Sequence, residues 1–243
     1  MDEHEMVREI IRMKDAGSPL VIDPERSALL VTDVQRYFVS PDDAFGQVLE
    51  TLMPGVTAGY FTRVRESVIP NIQRVLACCR ALRMPIFYTA AGSRLPDGSD
   101  LPGWMKAFDQ LGLTLHDTRV FPPVHDPSWQ VDGRVTPLAG DVVLDKPSSG
   151  PLASTRLDQT LRNIGVDTLI VTGLTTDVCV AQAARELADR GFQVIVVEDA
   201  CTALSEQMHQ AALLGFSLTF GRVRTTEALL AMLPDTTAVT VPG

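Results

Sequence analysis

Six short apolar runs punctuate the chain at residues 27–33, 85–89, 141–145, 168–172, 193–197 and, more weakly, 216–220. The first five are nearly continuous rather than alternating, the pattern of a strand covered on both faces. Periodic patterns between them predict helices over 64–83, 152–163, 178–190 and 205–214, with Gly165 and Gly191 placed to stop two of them. Alternating strands and helices predict right-handed crossovers and an α/β fold in three layers: a doubly wound sheet of about six mainly parallel strands with helices on both faces. Ligands of such sheets bind beyond the carboxyl ends of the strands, so chemistry is expected just after Thr32, Leu144 and Thr172.

Two stretches break this rhythm. Residues 40–61 and 92–140 are long, rich in Pro and Gly, and hold Phe45, Tyr60, Phe61, Trp104, Phe108, Phe121 and Trp129. Long excursions at loop positions serve as lids or oligomer contacts. Residues 2–15 predict a short charged helix, read as a frayed or partner-packed arm. No linker or composition shift divides the remainder, giving an arm over 1–20 and one domain over 21–243.

Composition narrows the partners. The chain has 243 residues, 45% of them hydrophobic, enough for one large core. A net charge of -9 repels phosphate at long range and argues against a broad nucleic-acid footprint, leaving a small-molecule substrate as the expected partner. No segment approaches the roughly 20 apolar residues that span a bilayer, and the first 20 residues lack a signal-peptide core, so no membrane partner and a cytoplasmic location are expected. Four cysteines without a C-x-x-C spacing fit a reducing compartment.

Three reactive side chains fall at the ends of three predicted strands: Asp33 after the first, Lys146 after the third, and Cys179 in the turn after the fourth. Neighbouring strand ends lie about 5 Å apart, so these groups can meet around one substrate atom. Taken singly they read as a turn-capping carboxylate, a solvated loop lysine and a small buried cysteine; together they read as a catalytic set. Cys179 stands near a helix start, where free amides, the helix dipole and a nearby ammonium are expected to favour the thiolate.

Four segments make the pattern specific: LLVTDVQ over 29–35, DKP over 145–147, GLTTDVCV over 173–180 and VEDA over 197–200. With these in this order the sequence resembles the isochorismatase-like cysteine hydrolase superfamily, which includes nicotinamidases, N-carbamoylsarcosine amidases, ureidoacrylate hydrolases and biuret hydrolases, from residue 27 to residue 233. The resemblance implies a catalytic triad of Asp33, Lys146 and Cys179. It also implies an oxyanion hole of the Thr175 and Cys179 backbone N–H groups, shaped by a cis peptide between Leu174 and Thr175. The implied reaction is cysteine-dependent cleavage of a C–N bond in a small linear amide, carbamoyl or ureido compound through a thioester, by a homo-oligomer, dimer or tetramer.

The chain departs from the nicotinamidase pattern. Those enzymes hold a metal through an Asp-x-His pair and a further His, whereas the corresponding YTAAGSRL over 88–95 has neither, and His4, His116, His125 and His209 are scattered. No metal and no cofactor are therefore expected, and nicotinamide is disfavoured. Candidate substrate contacts are Phe38, Arg94, Trp104 and Ser149; Arg94 suits either a carboxylate or a carbonyl, or is a solvated loop residue. Ser154 and Thr155 equally suit helix capping. Pro151 and Leu152 stand where family members often carry an aromatic residue.

Cys78 and Cys79 lie in a helical pattern and suit packing, and Cys201 has no evident partner. Three alternatives remain in view. An isochorismatase-type vinyl ether hydrolase needs an acid but no nucleophile, an idle domain uses the fold for assembly alone, and a redox sensor uses the Cys179 thiol without turnover.

Overall fold

The computed structural model describes residues 3–234. Six parallel strands, β1 (Ser27–Thr32), β2 (Ile86–Ala91), β3 (Val142–Lys146), β4 (Thr168–Leu174), β5 (Gln193–Thr202) and β6 (Arg222–Arg224), form one sheet in the order β3-β2-β1-β4-β5-β6. The apolar runs explain why. In β1, Leu29 and Val31 enter the hydrophobic cluster on one face of the sheet while Ala28 and Leu30 enter the other, so polar residues are left only at its ends, Ser27 and Thr32. Helices cover the sheet on both sides, and the α/β expectation holds.

This strand order matters for the site. The chain runs outward from β1 to β3, then returns to place β4 on the other side of β1. The loops leaving β1 and β4 therefore part to opposite faces, opening a crevice at the carboxyl edge where the order reverses. Gly173, with φ +117, lies where β4 approaches β1; a Cβ there would collide with the Thr32 backbone, so the close approach requires glycine.

The sixth strand corrects the sequence reading. Residues 216–220 close the helix Glu206–Thr219, and Arg222–Arg224 forms β6 instead. Three apolar residues in so short a segment fit the end of a helix as well as a strand, and periodicity alone does not separate the two. The edge strand β3 is less covered than expected, with Val142 and Val143 exposed. The predicted N-terminal helix spans Glu3–Gly17, its first predicted residue lying outside the described part. It docks on its own chain: Lys14 donates to the Gly221 carbonyl, and Asp15 pairs with Arg222 and Arg224. Met6, Ile10 and Met13 remain exposed on it.

The two excursions are not structureless. They carry the helices Ala44–Leu52 and Gly103–His116, whose apolar faces stand over the crevice, and Thr57–Arg63, whose Tyr60 and Phe61 pack into the core. Among the described residues no helix is long and apolar enough to cross a membrane.

Candidate active site

Asp33 follows the last residue of β1 and takes a left-handed backbone conformation, φ +51, with its N–H bonded to the Thr89 carbonyl. Such a conformation costs a non-glycine residue about 1 kcal/mol or more, and Asp tolerates it better than most. It turns the carboxylate inward. Oδ1 accepts from the Thr89 hydroxyl at 2.8 Å, and Oδ2 faces Lys146 Nζ at 2.7 Å as an ion pair.

Lys146 is the last residue of β3, two strands from β1, and its reach brings Nζ back to the crevice. The ammonium donates to the carbonyls of Ser148 at 2.7 Å and Ser149 at 2.9 Å and lies 3.6 Å from Cys179 Sγ. Asp33 and Lys146 are both fully buried, so each is the compensation for the other. Cys179 enters on the π-helical turn Thr176–Val180, which follows β4 and leads into the helix Ala181–Asp189. The Leu174–Thr175 peptide preceding that turn is cis.

The electrostatics reverse one sequence expectation. Burial raises the Cys179 thiol pKa; Lys146 pulls it down and Asp33 pushes it up, and the net shift is upward. Sequence alone shows the helix start and the lysine but not the depth of burial. Cys179 therefore rests as a thiol beside a carboxylate rather than as a free thiolate. For Lys146 burial acts to lower the pKa, but Asp33 and Cys179 outweigh it and the ammonium is held above its ordinary range.

Both groups thus keep their protons more tightly in the folded protein than in the unfolded chain. Above the unfolded thiol's pKa of about 8.5 the unfolded chain binds fewer protons, so stability falls as pH rises through that point and on through the lysine range. Urea midpoints are expected to be level between about pH 7 and 8, then to decline, more shallowly in Cys179→Ala. The remaining slope belongs partly to the buried thiols Cys79 and Cys201, also raised by burial. An undiminished slope in Cys179→Ala contradicts the raised thiol.

Beyond Cys179 lies a cavity of about 450 Å³. Phe38, Trp104, Ser149, Thr175 and Cys179 all line it. Arg94 does not. Its guanidinium is held by the Asp145 carboxylate, the Asp145 carbonyl at 2.7 Å and the Ser154 carbonyl at 3.0 Å, away from the cavity lining. The arginine is not simply solvated, because its partners come from β3 and the loop that follows it.

Several contributors escape the sequence reading. Thr89 ends up against Asp33, and the strand-end logic applied to Asp33 would also have singled it out. Gln35 bonds the backbone of Ala91 in both directions, at 2.7 and 2.9 Å, and the Trp129 carbonyl at 2.7 Å, tying the end of β2 to the loop after β1. Phe45, Leu49 and Met105 form the far wall from the excursion helices, and Asp177 joins the lining beside Cys179. Among the described residues no group of three or more His, Cys, Asp or Glu is placed to hold a metal.

Comparison with known proteins agrees with this architecture. A family model described as the Isochorismatase domain matches residues 27–228. The ureidoacrylate amidohydrolase RutB of Methylobacterium radiotolerans is 33% identical over 218 residues, covering 84% of this chain and 78% of that protein. The N-carbamoylsarcosine amidase of Arthrobacter sp is 30% identical over 169 residues, covering 69% of this chain and 62% of that one. A cysteine hydrolase from Pseudomonas syringae pv. phaseolicola, known by crystal structure, is 27% identical with a TM-score of 0.72, covering 88% of this chain and 97% of that chain.

Proposed function

The chain belongs to the isochorismatase family, and from that membership we propose that it is a cysteine-dependent amidohydrolase cleaving a C–N bond of a small amide, carbamoyl or ureido compound through a thioester. The observation that carries the proposal is the position of Lys146 Nζ, 2.7 Å from Asp33 Oδ2 and 3.6 Å from Cys179 Sγ, with Cys179 opening onto the cavity. An ammonium touching both a carboxylate and a thiol lets a proton pass between them without leaving an uncompensated charge in a dry site.

In this reading Asp33 takes the Cys179 proton as the sulfur attacks the carbonyl carbon. A C–S bond forms, and the electron pair of the C=O bond moves to oxygen. The Thr175 and Cys179 N–H groups meet that oxyanion; donors of this type contribute about 2.7–4 kcal/mol to the transition state. Collapse breaks the C–N bond while Asp33 returns its proton to the departing nitrogen, leaving an acyl-thioester. Water then adds to the thioester, giving its proton to Asp33; the C–S bond breaks and the thiol is restored. The balance is amide plus water to carboxylic acid plus ammonia or amine.

Intact mass of the acid-quenched protein during turnover of an amide panel tests the scheme. An acyl mass added at Cys179, appearing with a burst of ammonia and cleared as substrate runs out, is expected. Turnover with no adduct at any sampling time, or adducts shared indifferently with Cys78, Cys79 and Cys201, contradicts it.

A further inference from the structure

The cavity above Cys179 has a composition that narrows the substrate further than the family does. One side is built of aromatic rings in edge-to-face contact: Phe38 meets Phe45 at 4.9 Å between ring centroids, and Trp104 meets Phe121 at 5.7 Å. Leu49, Met105 and Met208 fill between and around them. Rings packed against one another leave their remaining faces and edges for a ligand that makes dispersion contacts and asks for no hydrogen bonds.

Charge completes the picture. No Lys, Arg or His lines the cavity among the described residues, and Asp177 is its single charged side chain. Asp177 Oδ1 is buried and has no hydrogen-bond partner, whereas buried polar atoms are nearly always paired. A carboxylate in the lining that is paired with no cation repels an anion. The cations in neighbouring elements are already committed. Arg94 is held by Asp145 and Ser154, and Arg63 donates to Thr202 and to the carbonyls of Ala203 and Leu204. Lys146 is saturated behind the thiol by Asp33 and two carbonyls.

We propose that this enzyme hydrolyses amides that carry a bulky alkyl or aryl group and no carboxylate, with the apolar group held against the Phe38, Trp104 and Met105 wall and Asp177 excluding anionic substrates. The inference rests on the amidohydrolase reading for its chemistry but not for its ligand preference. A volume of about 450 Å³ sits within the roughly 300–1,000 Å³ of small-molecule sites, ample for one substituted ring with its amide. A carboxylate placed there gives up its hydration, meets no cation and faces a like charge.

The test separates binding from turnover. Dissociation constants are measured by calorimetry on the Cys179→Ala protein for 4-methylphenylacetamide and 4-carboxyphenylacetamide, a pair differing at one substituent. The neutral compound is expected to bind at least about 30-fold more tightly, and Asp177→Asn in the same background is expected to narrow that ratio. Equal or tighter binding of the carboxylate overturns the proposal. Ammonia release by wild type is then compared between the pair and N-carbamoylglycine. Efficient hydrolysis of N-carbamoylglycine or the carboxylate compound in preference to the neutral one overturns the substrate class while leaving amide hydrolysis standing. Selective binding of the neutral compound with no ammonia released and no acyl group on Cys179 has the opposite meaning: the ligand class stands and the amidohydrolase reading falls.

Discussion

Cys179→Ala is expected to reduce amide hydrolysis at least about 10⁴-fold in kcat, to the level of background, while the protein keeps its fold. The size of the effect follows from what else the cavity offers. Ser148 and Ser149 line it, but the Ser148 hydroxyl already donates to the Gly150 carbonyl at 2.8 Å and neighbours Ser154, and the backbone carbonyls of both serines are occupied by Lys146. Asp33, the base in the proposed scheme, is paired with Lys146, whose Nζ lies 3.6 Å from the Cys179 sulfur. Deleting one small sulfur from a site otherwise intact costs about 1 kcal/mol of stability, so melting is expected to move by a few degrees at most.

The same variant divides the amide route from vinyl ether hydrolysis. Protonation of an enol ether needs an acid and a stabilised cation but no sulfur, so that chemistry would persist in Cys179→Ala with Asp33 and Lys146 in place. Ammonia release from the best amide, read beside a thermal melt, decides the matter. Hydrolysis within 10-fold of wild type in a folded Cys179→Ala protein removes the nucleophile from the mechanism. A redox-sensing thiol, in contrast, predicts that wild type itself shows no amide turnover.

The sequence makes the edge of the sheet that carries the candidate site readable because buried parallel strands leave a strong trace. Between Ser27 and Thr32, and between Thr168 and Thr172, every residue is apolar, and Asp33 and Cys179 follow the adjacent strands β1 and β4. Lys146 is less evident, since β3 is a half-exposed edge strand and only the length of the lysine side chain returns its charge to the centre. Strand β6 leaves a fainter trace still: Arg222–Arg224 has one apolar residue, and the run before it belongs to a helix.

The cavity walls are illegible for a different reason. Phe45, Leu49 and Met105 come from excursions whose Pro and Gly content hides the helical period, and their meeting with Phe38 and Phe121 is set by tertiary packing. Arg94 shows the same limit in reverse. Its cation invited a ligand role, but its partner Asp145 is 51 positions away in sequence, across the β2–β3 pairing. The thiol's raised pKa is likewise a property of depth, which no spacing rule measures.

Depth also governs the second large effect, in which stability and catalysis are expected to come apart. Lys146→Met leaves the Asp33 carboxylate fully buried with the Thr89 hydroxyl bond but no counter-charge; Asp33→Asn leaves the ammonium with two carbonyls and a thiol. Removing one partner of a buried pair typically costs about 3–5 kcal/mol, because the survivor must be desolvated uncompensated or change its protonation. Asparagine is the suitable replacement at position 33, since the backbone there is left-handed and Asn accepts that conformation as Asp does. The double variant Asp33→Asn/Lys146→Met leaves no charge at either position of the pair. Its stability is expected to return to within about 1–2 kcal/mol of wild type, a strongly non-additive cycle. Hydrolysis is expected to stay down by at least about 10³-fold in all three proteins, because each lacks the proton acceptor or the charge that makes its use tolerable. Urea denaturation of the four proteins at pH 7, with ammonia release measured on the same preparations, checks both halves. If the double variant loses the sum of the two single losses, the two groups do not compensate each other, and the physical basis for placing Asp33 as base beside Cys179 goes with it.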